Sequence, residues 1–162
     1  MIKINRKLDR SRDSPRHAER RLTLPFGERS RSRLRAVLDN GEEAGLFLER
    51  GSILRGGDLL LADDGRVIEV QAAAESVSTV RTEDHQLLAL ACYHLGNRHV
   101  PLQIGANWLR YQHDHVLDDM LRGFGLTVTV ELAPFEPEGG AYVSQGHAGS
   151  HSHSHSHPHS HG

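Results

Sequence analysis

The 162-residue sequence lacks the features that mark most enzymes and membrane proteins. No apolar run approaches the roughly 18–20 residues that a membrane-spanning helix needs. There is no phosphate-binding Gly-Lys-Ser/Thr loop and no His-Glu-x-x-His zinc motif, and the carboxylates are scattered rather than paired. These absences argue against a nucleotide hydrolase and a zinc protease, and they predict a protein that is not an enzyme. They also argue against a membrane as a partner of the chain.

Cysteine is also scarce, since Cys92 is the only one and no disulfide can form within the chain. Residues 1–7 lack the apolar segment of a secretory signal. Together these two features predict a cytoplasmic protein.

The net charge of −2 conceals an uneven distribution. Residues 1–36 contain 12 Lys/Arg and 4 Asp/Glu, whereas residues 37–162 contain 7 and 17. Such a basic end could bind nucleic acid or an acidic protein, or could form the solvated edge of a β domain. We expect the solvated edge, with no nucleic acid as partner.

The first part of the chain has the pattern of short strands. Polar and apolar residues alternate at 20–24 and 33–38. Asn40-Gly41 then precedes another apolar run, which predicts a hairpin in which both of these residues have positive φ. With the Gly- and Asp-rich turns that follow, the pattern predicts a small all-β domain over residues 1–73.

A helical pattern begins after residue 80. Thr82 is predicted to cap this helix, and Gly96 is predicted to end it as the first residue beyond the C-terminus. The inward-facing apolar stripe consists of Leu87, Leu88, Ala91 and Leu95.

A second helix is predicted from Asp114 to Gly123, and strands surround both helices. The resulting order is βαββαβ, which predicts a ferredoxin-like domain over residues 74–138 and an α+β chain. The predicted strands are 76–80, 100–104, 108–112 and 126–132, and the inward residues of the second helix are Val116, Leu117, Met120 and Leu121.

Histidine is the residue that stands out, with 13 in the chain. Seven of them lie in the Gly/Ser/His-rich tail, residues 139–162, which we expect to be disordered without metal. Imidazole suits Ni, Zn, Cu and Co. The alternative is a cloning tag, but Ser residues and Pro158 interrupt the run, which favours a native metal-binding tail. Its histidines are His147, His151, His153, His155, His157, His159 and His161.

His99 follows the first helix, and His94 lies one turn earlier, on the face predicted to be exposed. A single histidine past a helix end is usually structural, and one per chain cannot hold a transition metal that needs four to six donors. Two copies meeting on a two-fold axis would supply a pair. His94 could serve as a ligand or as a C-terminal cap.

His113 and His115 flank Asp114 at the start of the second helix. Their spacing would let them grip one ion as a peripheral site. The positive end of the helix dipole and a capping role for Asp114 oppose this, so the two interpretations are evenly balanced.

Residues 92–103, Cys-Tyr-His-Leu-Gly-Asn-Arg-His-Val-Pro-Leu-Gln, resemble a segment specific to the urease accessory nickel chaperones, the UreE family. Residues 111–117 are similar to a second segment of that family. A His-rich C-terminal tail is also common among its members. The resemblance extends over the whole chain.

The resemblance implies a homodimer joined through the ferredoxin-like domains, with Ni(II) as cargo. His99 matches the principal nickel ligand, contributed once by each subunit, and His94 matches a position near it. His113 and His115 match the peripheral pair. The β domain would bind partners, namely the urease accessory GTPase and the urease apoprotein complex. Zn(II) or Cu(II) would substitute in vitro, because Cu(II) binds most histidine sites more tightly than Ni(II).

Two functions therefore compete. The first is a metallochaperone that binds nickel as a dimer and delivers it during urease maturation. The second is a nickel or transition-metal storage or detoxification protein, in which the tail binds all the metal.

Overall fold

The computed structural model describes residues 1–140, and the predictions for the histidine tail lie outside this range. The described residues form two sheets, one after the other along the chain. The elements in chain order are β1 Ile2–Lys7, β2 Arg20–Leu24, α1 Phe26–Arg29, β3 Arg33–Val37, β4 Glu43–Phe47, β5 Leu59–Ala62, β6 Val67–Ala72, β7 Ala74–Arg81, α2 His85–Asn97, β8 Gln103–Gly105, β9 Trp108–Gln112, α3 His115–Gly123 and β10 Val128–Pro134.

The first sheet confirms the predicted β domain. Its six strands lie in the order β2-β6-β5-β1-β4-β3, with β1 parallel to β4 and β2 parallel to β6. The sequence pattern did not predict β1, which is the inner strand that joins the two halves of the sheet, or the four-residue helix α1. Fully buried members of the core include Ile4, Leu22, Leu38, Leu46, Leu54, Leu60 and Ile68.

The predicted hairpin lies between β3 and β4, but its turn differs from the prediction. Only Gly41 has positive φ, at 91°. The Gly41 amide donates to the Leu38 carbonyl, and the Leu38 amide donates to the Glu42 carbonyl. This is a type I turn closed by a glycine bulge, in which one left-handed residue is sufficient.

The second sheet confirms the ferredoxin-like prediction. Its strand order is β10-β7-β9-β8, and every pair is antiparallel. Helices α2 and α3 contribute to one core with the sheet, consistent with the βαββαβ order. Buried residues of this core include Val80, Ala91, Leu95, Leu109, Tyr111 and Leu121.

Two details of the helices correct the sequence analysis. Helix α2 is capped by Asp84, whose carboxylate accepts from the Leu87 amide, rather than by Thr82. In α3, Val116 is 53% exposed although it was predicted to face inward. Asp114 is the N-cap of α3, and the register that follows turns Leu117, Asp118 and Leu121 inward.

A buried arginine joins the two domains. Arg29 of α1 is fully buried, and its Nη1 lies 2.6 Å from Glu136 Oε1. Its guanidinium also donates to the Leu24, Leu54 and Phe135 carbonyls. The segment just after β10 is thereby bound to the β domain. Among the described helices, none is long and apolar enough to cross a bilayer.

Candidate metal centre

His99 lies at the C-terminal end of α2 with φ at 55°, in the left-handed region. Its amide donates to the Gly96 carbonyl at 3.0 Å, and the Val100 amide donates to the Leu95 carbonyl at 3.3 Å. These two bonds form a Schellman motif, and His99 occupies the position at which glycine is preferred. The prediction that Gly96 would hold this position is wrong, because Gly96 lies inside the helix.

This geometry has a chemical consequence for His99. Its side chain is exposed at the end of a helix whose last carbonyls carry partial negative charge, which favours a nearby cation. A side chain other than glycine in the left-handed conformation costs about 1–2 kcal/mol. Strained positions of this kind are often found at functional sites.

His94 is half-buried, so its predicted position on an exposed face is wrong. Its ring lies 5.0 Å from the Phe124 ring and 5.4 Å from the Tyr93 ring, measured between centroids. Phe124 follows α3, and this contact therefore ties the end of α2 to the second helix. The aromatic contacts restrict the positions that the His94 imidazole can adopt.

The outer face of α2 is apolar, as its inner face is. Leu90 is 41% exposed and Tyr93 is 65% exposed, although both are large apolar side chains. Ala89 and Gly96 lie on the same face at helical spacing. We call these four residues the α2 outer face, and it leads directly to His99.

His113 lies at the end of β9 and contacts residues that were not predicted to be part of a site. Its Nδ1 is 3.1 Å from Asp118 Oδ2 and 3.2 Å from Ser78 Oγ. Asp118 is 1% exposed, and its Oδ1 accepts a 2.6 Å hydrogen bond from the Tyr111 hydroxyl. A carboxylate at an inward helix position next to Leu117 and Leu121 is the sequence feature that could have indicated this cluster.

His115 has a different environment from His113. It is exposed at the first position of α3, where the helix dipole disfavours a cation. Asp114 accepts from the Val116 and Leu117 amides, so its predicted capping role is confirmed.

Cys92, the single cysteine, is part of the packing of the second domain. It packs against the core of the second domain, and burial raises the pKa of its thiol. Within residues 1–140, no three His, Cys, Asp or Glu side chains are grouped closely enough to hold a metal ion. The described part of one chain therefore offers too few donors in any one place to complete a transition-metal site.

Comparison with known proteins gives two family matches. Residues 3–73 match the N-terminal domain of the UreE urease accessory protein, and residues 75–161 match its C-terminal domain. Several proteins named "Urease accessory protein UreE" are similar to the chain. One from Alkalilimnicola ehrlichii is 66% identical over 125 residues, which is 77% of each chain. One from Pseudomonas putida is 59% identical over 148 residues, covering 91% of this chain and 87% of the relative. One from Proteus mirabilis is 60% identical over 121 residues, or 75% of each chain.

Proposed function

The chain belongs to the UreE family of urease accessory proteins, and from this we propose that it is a cytoplasmic nickel metallochaperone. In this proposal it binds Ni(II) as a homodimer and delivers it to the urease apoprotein and GTPase assembly complex. It carries the metal as cargo and catalyses no reaction itself.

The observation that carries the proposal is the position of His99 at the end of the α2 outer face. Exposed apolar surface of this kind often marks a protein contact. An isologous contact between two α2 outer faces would bring two copies of the helix end together. Two His99 side chains would then face one ion from opposite subunits. Gly96 would let the helix backbones approach closely, because it presents no side chain.

Two imidazoles do not complete the coordination shell of Ni(II), and the tail histidines would supply further donors. The described chain ends close to His99, because the Glu138 amide donates to the Leu102 carbonyl at 2.8 Å. Eight residues lie between Glu138 and His147, and the nine residue-to-residue steps of an extended backbone span about 30 Å. This reach is sufficient for tail histidines to meet an ion held at His99. His94, anchored against Phe124, would stand beside that ion.

The choice of nickel rests on the family rather than on the donors. Histidine sites bind Cu(II) more tightly than Ni(II), and they also bind Zn(II). We expect both to substitute in vitro.

The β domain, predicted over residues 1–73, would bind partner proteins through the Arg33 end of the β3 edge. The other end of this edge meets β2, because the Asp39 amide donates to the Arg21 carbonyl. Leu34 and Ala36 lie opposite Leu46 and Ala44 in β4. Backbone hydrogen bonds join Ser32 to Leu48 and Leu38 to Glu42, on either side of these two pairs. Because hydrogen-bonded pairs recur at every second residue of an antiparallel ladder, Leu34 and Ala36 also hydrogen-bond to β4. The backbone N–H and C=O groups of the intervening residues Arg33, Arg35 and Val37 therefore point away from β4.

The same three residues are exposed, and the Arg33 guanidinium lies 5.7 Å from the centre of the Phe47 ring. An extended acidic segment of a partner could add to this edge as a further strand and pair with the arginines. Calorimetric titration of the purified GTPase and urease apoprotein complex into an Arg33→Glu/Arg35→Glu variant tests this idea. We expect weaker binding than with Arg12→Glu, a control in the exposed loop before β2. Equal affinities would remove β3 from the proposal.

Nickel calorimetry combined with sedimentation analysis tests the carrier proposal. The proteins compared are the wild type, His99→Ala, a chain ending at Gly146, and the control His17→Ala in an exposed loop. We expect the chain ending at Gly146 to remain a dimer and to retain part of the nickel binding. His99→Ala should lose the tightest site, and His17→Ala should behave as the wild type.

Two results would contradict the proposal. If the chain ending at Gly146 binds no nickel, the tail alone holds the metal and the storage function is correct. If that chain is monomeric with nickel present, or if His99→Ala binds nickel as the wild type does, the two-subunit site does not exist.

A further inference from the structure

A buried carboxylate lies beneath His113, the surface histidine that follows β9. Asp118 is 1% exposed and Tyr111 is fully buried, and a 2.6 Å hydrogen bond joins the tyrosine hydroxyl to Asp118 Oδ1. The other carboxylate oxygen, Oδ2, lies 3.1 Å from His113 Nδ1. Both oxygens of Asp118 therefore have a defined partner.

These contacts determine which ring nitrogen of His113 carries the proton. A carboxylate can only accept hydrogen bonds, so both Tyr111 and His113 must donate to Asp118. Burial, followed by the hydrogen bond to Asp118, raises the pKa of Tyr111, which keeps the phenol protonated as a donor. His113 Nδ1 consequently holds a hydrogen, and in the neutral ring Nε2 holds the lone pair.

The direction of the ring follows from the burial of its partners. Ser78, which lies 3.2 Å from the same Nδ1, is fully buried, and so is the Asp118 carboxylate. The Nδ1 edge of the ring thus faces the interior. The His113 side chain is nevertheless 37% exposed, so its accessible part is the opposite edge, which contains Nε2.

We infer that Asp118 is a positioning residue that holds His113 as the Nδ1–H tautomer and presents Nε2 as a donor to a transition-metal ion at the surface. The inference deepens the proposed function and rests on it, because it assumes that the chain handles such ions. Carboxylates behind ligating histidines orient the ring and raise its basicity, and their loss weakens metal binding about 10–100-fold.

The inference also separates two histidines that flank Asp114 and were predicted to bind one ion as a pair. His113 has its ring held by Asp118, whereas His115 is exposed at the positive end of α3. His113 is therefore the anchor of the peripheral site, and His115 contributes little to its affinity.

The substitution Asp118→Asn tests the positioning role with little change in shape. The Asn oxygen can still accept from Tyr111, but its NH₂ group would donate to His113 Nδ1. The ring would then change to the Nε2–H tautomer, in which the outward nitrogen has no lone pair. The control is Asp119→Asn, since the neighbouring Asp119 side chain is 73% exposed and pairs with the Arg122 side chain at 3.5 Å rather than with His113.

The first measurement is the ¹⁵N NMR spectrum of the His113 ring in the full-length protein without metal, assigned by comparison with His113→Ala. We expect the Nδ1–H tautomer in the wild type and in Asp119→Asn, and the Nε2–H tautomer in Asp118→Asn. A wild-type ring that is mainly the Nε2–H tautomer would overturn the inference without any variant. Because no metal is present, this result does not depend on whether the His99 site exists.

The second measurement follows the same ring signals during titration with Zn(II), a diamagnetic probe that reports on this histidine separately from the tail. We expect about 10–100-fold weaker binding at His113 in Asp118→Asn. His115→Ala should stay within a few-fold of the wild type. Unchanged Zn(II) binding in Asp118→Asn, or an equal loss in His115→Ala, would overturn the inference. If Asp118→Asn does not fold, the wild-type tautomer and His115→Ala still decide the question.

Discussion

The charged side chains of the two domains differ in the partners they bind. In the β domain, Glu42 pairs with Arg20 and Arg66, while the buried Arg29 bonds to Glu136 of the ferredoxin-like domain and to carbonyl oxygens. In the ferredoxin-like domain, the α2 outer face is apolar and exposed, and His99 lies beyond it. The comparison indicates that the buried cation of the first domain binds the second domain, whereas the second leaves the apolar surface of α2 available for another molecule.

The acidic groups Glu42 and Asp118 of the two domains also differ in their depth within the fold. Glu42 and its arginines lie near the surface, while the Asp118 carboxylate of the second domain is buried with Tyr111 and reaches the surface only through His113. The surface pairs respond to pH and salt, because they are solvated and screened. The buried cluster fixes the orientation of one ring. Substitutions in both domains test this contrast, from the largest expected effect to the smallest.

Arg29→Ala should produce the largest loss of stability. Removing the guanidinium takes one hydrogen-bond donor from Glu136 and one from each of three carbonyl groups, and loss of one partner of a buried pair costs about 3–5 kcal/mol. The loss is measured as the change in the free energy of unfolding in urea. Unfolding is monitored by circular dichroism and by the fluorescence of Trp108, the only tryptophan, which lies in the second domain. Arg31→Ala, in an exposed position, is the control. A loss below about 1 kcal/mol, far short of the cost of breaking a buried pair, would show that Arg29 does not join the domains.

His99→Gly should stabilise the chain by about 1 kcal/mol, because glycine adopts the left-handed conformation without steric cost. His99→Ala keeps the strain and should show little change. Both variants lose the imidazole, so nickel binding should fall equally in the two while their unfolding midpoints in urea differ. Equal midpoints would mean that the His99 backbone is not strained.

Gly96→Ala should separate the stability of the helix from self-association. A Cβ at Gly96 would meet no neighbouring atom, so helix propensity alone should stabilise the monomer by about 0.5–1 kcal/mol. If the α2 outer faces pack together, the added methyl group weakens the dimer in sedimentation experiments. Gly123→Ala, at the exposed end of α3, is the control and should leave association unchanged. A Gly96→Ala dimer as strong as the wild type would place the subunit contact elsewhere.

The smallest effect concerns the acid stability of the β domain. Hydrogen bonds from Asn40, Arg20 and Arg66 lower the pKa of Glu42 from its ordinary value of 4.5 to about 2. Because the folded pKa is the lower one, Glu42 stabilises the fold fully above its ordinary pKa, and this contribution disappears as the pH falls through the folded value. The difference in melting temperature between the wild type and Glu42→Gln should therefore shrink as the pH is lowered from about 6 to about 2.5. For the exposed control Glu49→Gln, we expect no such trend.

Much of the fold could be predicted from local patterns. The strand alternation of the β domain and the helical stripe through Ala91 and Leu95 have short periods that any single segment reveals. The end of α2 could not be predicted in this way. Its Schellman motif depends on Val100 packing with Leu95 against the core, so the left-handed residue is His99 rather than the nearest glycine.

The candidate metal centre could likewise be predicted only in part. The histidines are visible in the sequence, and their number and spacing indicate transition-metal binding. The sequence analysis did not identify the partners of His113, because Ser78 and Asp118 are 35 and five residues away from it. Asp118 alone could have been noticed, as a carboxylate at an inward helix position.

The sequence by itself determined the order of the elements after residue 74, the histidine donors and the resemblance to a urease accessory family, because each depends on residue type and short-range spacing. Only the tertiary structure decided the conformation of His99 and the proton position on His113. It also decided which apolar face of α2 remains exposed. These properties depend on strand register and side-chain packing, which bring Ser78 opposite Tyr111 and place Asp118 beneath His113.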